Sequence, residues 1–145
     1  MITIRDLQDG DLEYVRENPL EGAVKNYPKM IPTPPAFTAE FEGKIVGIGG
    51  MLVYWEGKGM MWLMLTADCK REGVFGIMAF QAIKDKVDEL IRTHKMKRVE
   101  CNVRTDFPKA RKMVEALGFQ LEGLMRNYCP DDCNAWLYAR ITKWD

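Results

Sequence analysis

Hydrophobic and polar residues alternate with two different periods along this chain of 145 residues. A period of two, typical of β-strands, predicts strands over 1–7 and 97–103, and further strands are predicted over 36–41, 45–54, 60–65, 119–125 and 135–141. A period of three to four, typical of amphipathic helices, predicts long helices over 74–94 and 107–117. Two shorter helices are predicted before Pro19 and over residues 21–26. The predicted order is strand, two helices, three strands, helix, strand, helix, two strands.

Local signals predict how these elements begin, end and face the core. Asp9 is expected to cap the first helix, and Gly118 to close the last one. Glycine in "EGK" predicts a hairpin between the second and third strands. The apolar face of the longest helix comprises Val74, Ile77, Phe80, Ile83, Val87, Leu90 and Ile91. We therefore predict an α/β (α+β) fold in one domain, residues 1–145, with a mixed central sheet of about seven strands and about four helices.

Composition narrows the functional classes. Twenty-one basic residues balance twenty-one acidic ones, which gives no global electrostatic reason to bind nucleic acid or a membrane surface. No apolar run is long enough for a membrane span, and no secretory signal is apparent, so we expect a cytoplasmic protein. The cysteines at 69, 101, 129 and 133 are too scattered for a disulfide scaffold, and "CPDDC" with the single His94 cannot complete a tetrahedral metal site. We expect reduced thiols and no metal.

The stretch "TADCKREGVFGIMAF", residues 66–80, joins a predicted strand to the longest predicted helix. A helix N-terminus presents unpaired N–H groups to an anion, and Gly73 lets the backbone approach phosphate oxygens closely. Lys70 and Arg71 add positive charge. A plain strand-to-helix turn would also favour glycine, and the stretch by itself does not separate these two interpretations.

Three stretches together with the element order resemble the GNAT superfamily of acyl-CoA N-acyltransferases across essentially the whole chain. In the phosphate-binding loop of that family, Lys70 would take the basic position, Gly73 the first glycine position and Phe75 the second. "ARKMVEALGF" is similar to the family's Ala-x-x-x-Tyr-x-x-x-Gly-Phe helix end, and "LEGLMRNY…WLYARI" is similar to its terminal strand pair. The resemblance implies that acetyl-CoA is the cosubstrate and that an acetyl group is transferred to a primary amine.

The resemblance also implies cofactor-binding positions. In the family, the strand before the loop splays from its neighbour, and its free backbone groups pair with the pantetheine chain, here at Met64, Leu65 and Thr66. The loop and the helices beside it add Lys70, Arg71, Gly73, Val74, Phe75, Gly76 and Ala110. The phenyl ring of Phe75 is expected to add bulk where the backbone approaches phosphate. Lys109, Arg111 and Lys112 are candidates for the adenosine 3′-phosphate, or form an ordinary solvated helix face.

The side chains that usually carry the family's chemistry are replaced. Val114 stands at the position of the proton-donating tyrosine and Phe107 at that of a frequent asparagine, and neither side chain can donate a proton. The amide of Leu65 is a candidate oxyanion donor. Glu100 is the candidate base for the amine and Tyr128 the candidate acid for the sulfur, although a solvent-facing carboxylate and a packing tyrosine are the alternatives.

Two functions remain open from the sequence. One is an acetyl-CoA-dependent N-acetyltransferase that acts on a small-molecule or peptide amine. The other is a GNAT-like structural or assembly protein without turnover, similar to short chains encoded by tailed phages, which would make it virion-associated. Whether the protein forms a homodimer is also left open.

Overall fold

The computed structural model describes residues 1–28, 31–70 and 74–144, with the backbone alone for Lys70 and Val74. Within these residues the chain forms seven strands, three α-helices and two short 3₁₀ helices. The strands are β1 (Ile2–Asp6), β2 (Ala36–Phe41), β3 (Lys44–Trp55), β4 (Lys58–Leu65), β5 (Arg98–Arg104), β6 (Gln120–Met125) and β7 (Ala135–Ile141). The α-helices are α1 (Asp11–Glu17), α2 (Val74–Thr93) and α3 (Pro108–Ala116), and the 3₁₀ helices are Gly22–Asn26 and Ala67–Lys70. The predicted order is confirmed, with a 3₁₀ helix in the place of the second predicted helix.

The strands form one mixed sheet in the order β1-β2-β3-β4-β5-β7-β6. β4 and β5 are parallel, whereas β1–β2, β2–β3, β5–β7 and β6–β7 pair in antiparallel fashion. The β4–β5 pairs run from Lys58↔Arg98 to Met60↔Glu100. β4 nevertheless continues to Leu65, so its last five residues lie outside the described β4–β5 pairs.

The chain divides into two compact units. The first unit comprises residues 1–52 and 62–83. Its core joins Leu12 and Val15 of α1 to Ile48 of β3, with Leu7, Ile45, Trp62 and Met64 packed against them. Leu12 and Val15 are three residues apart and therefore share one face of the helix, as the hydrophobic period predicts. Burial of this apolar face is what holds the short α1 on the sheet.

The start of α1 differs from the prediction. Gly10, with φ 91°, precedes the helix, and no side chain caps it, so the prediction of an Asp9 cap is wrong. Such a φ favours glycine, and it places the first helical residue, Asp11, with its side chain pointing inward. The buried carboxylate of Asp11 accepts hydrogen bonds from the side chains of Arg5 and Thr38 and from the amide of Gln8. The acidic side chain at this helix start thus links α1 to β1 and β2.

The second unit comprises residues 53–61 and the chain from residue 84 onward. Along β5, Val99, Cys101 and Val103 are buried and alternate with polar residues, as predicted. Tyr138 of β7 is fully buried and pairs with Cys101. Gly118, with φ 93°, follows the end of α3, which confirms the predicted helix end.

One residue predicted to face inward from α2 does not. Ile77 is 72% exposed, whereas Phe75 is buried, and so are Leu90 and Ile91 later in the helix. Residues two apart on an α-helix are separated by about 200° around its axis. The first turn can therefore bury Phe75 or Ile77 on a given face, but not both. Among the described residues, no helix combines the length and apolar character that crossing a membrane requires.

Candidate functional site

In the first unit, β4 ends at Leu65 and is followed by Thr66, which is fully buried. The amide of Thr66 donates to the carbonyl of Val46 at 3.0 Å, and its hydroxyl donates to the carbonyl of Ile45 at 3.0 Å. The carbonyl of Thr66 accepts from the amide of Cys69 at 3.0 Å. Both backbone groups of Thr66 are therefore engaged within the first unit, although the resemblance implies free groups at this position.

The segment Asn18–Leu20, directly after α1, pairs with the opposite side of this strand end. The amide of Leu20 donates to the carbonyl of Leu65, and the amide of Ala67 donates to the carbonyl of Asn18, both at 2.9 Å. Successive peptide groups of a strand point to opposite sides, and the N–H of Thr66 points towards β3. The N–H of Leu65 therefore points away from β3, to the side where Asn18–Leu20 lies.

The predicted phosphate-binding loop lies only in part within the described residues. Lys70 ends the second 3₁₀ helix, and Val74 begins α2. Arg71 and Gly73, which carry the predicted charge and the predicted close approach to phosphate, lie outside the described residues. The 3₁₀ helix and the 20-residue helix α2 that flank the loop agree with the predicted strand–loop–helix arrangement.

The start of α2 places the bulk of Phe75 inside the first unit. The ring of Phe75 is buried and packs against that of Phe41, with the ring centroids 5.0 Å apart. The expectation that this ring crowds the phosphate side of the loop is therefore wrong, because the core contact with Phe41 orients it. Gly76, one residue later, is exposed, and a β-carbon added there would meet nothing within 4 Å.

In the second unit, polar side chains of β5 and of the loop after β6 come together. Glu100 and Asn102 are two residues apart on β5 and therefore share a face, opposite the buried Cys101. The side-chain amide of Asn102 donates to the hydroxyl oxygen of Tyr128 at 3.3 Å and lies 3.7 Å from the sulfur of Met60. Both candidate proton-transfer residues, Glu100 and Tyr128, thus lie in one unit.

Tyr54, near the end of β3, is a member of this group that the sequence analysis did not identify. Burial raises the pKa of its phenol, and electrostatic interactions with Glu100 and then with Tyr128 raise it further. Tyr54 is still 42% exposed as a residue, so an external group can reach it. A protonated phenol of this kind can donate a proton at neutral pH. The signal in the sequence is the apolar run "LVYW" at 52–55, all of it exposed at the end of a strand.

The carboxylate of Glu100 has a cationic neighbour. The guanidinium of Arg98 donates to Oε2 of Glu100 at 2.9 Å and makes two further hydrogen bonds, of 2.9 and 2.6 Å, with Glu122. Because Arg98 divides its donors between two carboxylates, Oε1 of Glu100 stays outside the hydrogen bonds made by Arg98.

Helix α3 contains the positions at which the usual catalytic side chains are replaced. Val114 is buried in its interior face, and Phe107 is the residue before its first turn. Ala110, predicted to line the cofactor site, lies in the first turn and is half-buried. Val114 and Phe107 therefore present apolar side chains at the positions where the resemblance implies a hydroxyl and an amide.

Arg111 of α3 is engaged in packing within the second unit. Its Nε donates to the hydroxyl oxygen of Tyr138 at 2.7 Å, and Tyr138 in turn donates to Glu115 at 2.9 Å. The guanidinium also lies over the ring of Trp136, 4.4 Å from the centroid. Of the three basic residues proposed for the 3′-phosphate, Arg111 is thus committed to the neighbouring strand, whereas Lys109 and Lys112 are exposed.

The geometry of the described residues supports neither a nucleophilic cysteine nor a metal site. All four cysteines are free, and burial raises the pKa of Cys101 to about 12 and also raises that of Cys69. Thiols of this kind are poor nucleophiles at neutral pH. In the ranges 1–28, 31–70 and 74–144, no cluster of three or more His, Cys, Asp or Glu residues could hold a metal ion.

Comparison with solved structures identifies the fold. Ard1 from Thermoplasma volcanium matches with a TM-score of 0.76 and 22% identity over 99% of both chains. The ribosomal-protein-S18-alanine N-acetyltransferase from Escherichia coli matches with a TM-score of 0.68 and 18% identity, over 100% of this chain and 96% of the other. A mutant of the spermidine N-acetyltransferase SpeG from Vibrio cholerae matches with a TM-score of 0.74 and 16% identity, over 96% and 94% of the two chains.

No family model and no curated protein matches the sequence. The structural likeness nevertheless extends over the whole chain, and the order of strands and helices agrees with it. The chain therefore has the acyl-CoA N-acyltransferase fold of the GNAT superfamily, as its sequence predicts. At these identities the likeness establishes the fold, and function has to be argued from the site.

Proposed function

We propose that the protein is an N-acetyltransferase that transfers the acetyl group of acetyl-CoA to a primary amine of a small molecule, a peptide N-terminus or a lysine side chain. The observation that carries the proposal is a β4–β5 ladder that stops at Met60↔Glu100 in a chain of GNAT fold. This end of the ladder leaves β4 from Met61 to Leu65 outside those pairs, as a pantetheine chain would require. The names of two structural neighbours, which refer to spermidine and to an S18 alanine, agree with an amine acceptor.

The residues around the end of β4 fit this cosubstrate in part. The N–H of Leu65 points away from β3, and the start of α2 is open at Gly76. Both backbone groups of Thr66 are already hydrogen-bonded. We therefore assign Thr66 a structural role, in which it fixes the end of β4, and no direct contact with the cosubstrate. We assign cosubstrate binding in the first unit to the backbone of Met64 and Leu65, to the loop with Lys70, Arg71 and Gly73, and to the helix start Val74–Gly76.

Acetyl-CoA supplies an activated thioester, and the chain supplies proton transfers and charge stabilisation. Glu100 accepts a proton from the acceptor amine, whose nitrogen then bonds to the acetyl carbon. The amide of Leu65 stabilises the negative charge on the acetyl oxygen. Tyr128 or Tyr54 donates a proton to the sulfur as the carbon–sulfur bond breaks, and the products are an amide and a free thiol. Tyr54 joins this set because its phenol interacts electrostatically with both Glu100 and Tyr128.

Titration with acetyl-CoA while the melting temperature is followed tests the proposal. A ligand that binds only the folded state raises the melting temperature by mass action, and micromolar binding should give a clear rise at millimolar acetyl-CoA. Gly73→Asp, which adds a carboxylate to the phosphate loop, should abolish the rise. Gly123→Asp in β6 adds the same charge where a side chain meets nothing within 4 Å, and should retain it. No rise for the wild-type protein would contradict the proposal.

A second function has a specific observation in its favour. The hydrogen bonds between Asn18–Leu20 and the residues Leu65 and Ala67 already cover the end of the β4 edge, and Val114 replaces the usual acid. A GNAT-fold structural or assembly protein without turnover would tolerate both features. Release of free thiol from acetyl-CoA in the presence of an amine panel distinguishes the two functions. Cosubstrate binding without thiol release, across polyamines, amino acids and peptides, would favour the protein without turnover.

A further inference from the structure

One nitrogen of the Arg16 guanidinium, on α1, has no hydrogen-bond partner among the residues that the structure describes. This atom, Nη1, is buried. A guanidinium stays protonated at any physiological pH, so this atom carries part of a full positive charge. A buried, unpaired charge is costly, and buried charges in native proteins are normally paired. Arg5 of the same unit follows that rule, with hydrogen bonds to Asp11 and Glu40.

The place of Arg16 on α1 connects it to the end of β4. Arg16 lies one helical turn after Leu12, whose side chain belongs to the cluster that includes Met64 of β4. Two residues after Arg16 begins the segment Asn18–Leu20, which is hydrogen-bonded to Leu65 and Ala67. Arg16 therefore lies on the helix that packs against β4 and two residues before the segment that is hydrogen-bonded to the end of β4.

We propose that Nη1 of Arg16 binds a carboxylate of the acceptor substrate, so that the acceptor is an amine that also carries a carboxylate. A guanidinium matches a carboxylate in shape and charge, and one cation balances one monoanion. Glu13 and Glu17 lie on the same short helix, and the helix dipole is negative at this end. Both effects oppose a dianion such as phosphate more strongly than a monocarboxylate. This inference deepens the proposed function and rests on it for the identity of the ligand as an acceptor.

Binding of product-like probes tests the subsite without turnover. N-acetylglycine carries the carboxylate, N-acetylglycinamide lacks it, and inorganic phosphate offers a dianion. Each probe is titrated against the full chain while backbone amide chemical shifts and the melting temperature are followed. Arg16→Met keeps most of the apolar stem and removes the charge. Arg16→Lys keeps the charge but loses the planar guanidinium with its paired N–H donors. Arg92→Met, at the exposed end of α2, removes the same charge elsewhere and serves as the control.

The expected result is saturable binding of N-acetylglycine to the wild-type protein and to Arg92→Met. Binding should be at least about tenfold weaker in Arg16→Met, because a charge-assisted hydrogen bond is lost. The Arg16→Lys variant should lie between them, and N-acetylglycinamide should bind the wild type as weakly as N-acetylglycine binds Arg16→Met. Ligand-free Arg16→Met should melt no lower than the wild type, since an unpaired charge has been removed.

Equal binding of the acid and the amide, unchanged binding in Arg16→Met, or tighter binding of phosphate would overturn the inference. A clearly lower melting temperature of ligand-free Arg16→Met would also count against it, since Nη1 would then have a partner. Failure of the proposed function has a separate readout in the acetyl-CoA titration. Carboxylate binding that depends on Arg16 without any response to acetyl-CoA would reject the transferase and keep the anion subsite.

Discussion

In the proposed transferase, single residues of the second unit would decide which group gives a proton to the departing sulfur. Tyr54 interacts electrostatically with the proposed base Glu100, whereas the hydroxyl oxygen of Tyr128 accepts a hydrogen bond from Asn102, so Tyr54 is the acid to test first. We predict that Tyr54→Phe lowers kcat about 100-fold with little change in KM, the lower range of the effect of a general acid. Steady-state kinetics with acetyl-CoA and an accepted amine measure this change.

Tyr128→Phe is the matched comparison, because it removes the other hydroxyl and leaves the ring in place. If Tyr128→Phe loses the activity and Tyr54→Phe retains it, the assignment of the acid returns to Tyr128. Wild-type rates in both variants would mean that neither phenol protonates the sulfur. Glu100→Gln, which preserves shape and removes the base, should lower kcat in either case.

Asp11 is the residue on which the helix start depends. Burial raises the pKa of this carboxyl, but hydrogen bonds from Arg5, Thr38 and the Gln8 amide outweigh burial and lower the pKa to about 2. Asp11→Asn removes the charge that Arg5 faces, and should destabilise the protein by about 3 kcal/mol, the lower range for a broken buried ion pair, since Arg5 is 30% exposed. Urea unfolding measures the change.

Asp9→Asn is the control for Asp11→Asn, because Asp9 provides no cap in the structure. It should leave the free energy of unfolding within about 0.5 kcal/mol of the wild type, the range of ordinary surface substitutions. An equal loss in both variants would contradict the role given to the buried carboxylate.

At the scale of elements, the packing of β3 depends on glycine where other strands cross close to it. A β-carbon at Gly50 would lie 2.6 Å from the carbonyl oxygen of Pro35 and 3.0 Å from the ring of Trp62. Neither the backbone oxygen nor the packed indole can move away easily, so Gly50→Ala should destabilise the protein by about 2–3 kcal/mol. Thermal or urea unfolding measures the loss.

A glycine-to-alanine substitution in α2 should change the stability of the protein in the opposite direction. Gly76 lies in a helix with nothing within 4 Å of an added β-carbon, and alanine is a better helix former by about 0.5–1 kcal/mol. Gly76→Ala should therefore stabilise the protein by about that amount. A loss of stability in Gly76→Ala, or none in Gly50→Ala, would show that the backbone positions of these elements differ from those described.

Elements with a strong hydrophobic period could be predicted from the sequence, because burial of one face fixes both their type and their orientation. The alternation of Val99, Cys101 and Val103 and the closing Gly118 are of this kind. The cap of α1 could not be predicted, because a local acidic signal cannot show that Asp11 has distant partners on β1 and β2. Ile77 was misjudged because hydrophobicity alone does not show which side of the first helical turn faces the core.

The candidate site could be predicted less well than the fold. Glu100 was recognisable as a carboxylate on the polar face of a strand, but its pairing with Arg98 and its proximity to Tyr54 depend on pairing between distant segments. The covering of the β4 edge by Asn18–Leu20 and the unsatisfied Nη1 of Arg16 arise from tertiary contacts as well. No periodicity in the sequence encodes these contacts.

At the scale of the whole molecule, charged pairs and buried neutral groups together predict how stability depends on pH. Hydrogen bonds from Arg104 lower the pKa of Asp106 and lower that of Asp131 to about 2, and those from Arg98 lower the pKa of Glu122. A group with a lowered folded-state pKa binds its proton more weakly in the folded state. Its contribution is complete above the unfolded-state pKa, near 4, and is lost as the pH falls through the folded-state value.

At alkaline pH, groups whose pKa is raised in the folded state contribute to the pH dependence of stability. Burial raises the pKa of Cys101 to about 12, and burial also raises the pKa values of Cys69, Tyr54 and Tyr138. These groups keep their protons in the folded state at a pH where the unfolded chain has lost them. Their contribution is therefore complete below the unfolded-state pKa, roughly 8.5 for a thiol and 10 for a phenol, and declines as the pH rises above it.

The melting temperature should therefore be nearly constant between about pH 5 and 8 and fall on both sides, steeply below pH 4. Scanning calorimetry from pH 2.5 to 10.5 at constant ionic strength measures this profile. Asp11→Asn should flatten the acidic limb, because one of the carboxylates with the lowest pKa is then absent, while Cys101→Ala should flatten the alkaline limb. A melting temperature that rises from pH 5 to pH 3 would contradict the ion pairs described for both units, because protonation of those carboxylates must weaken them.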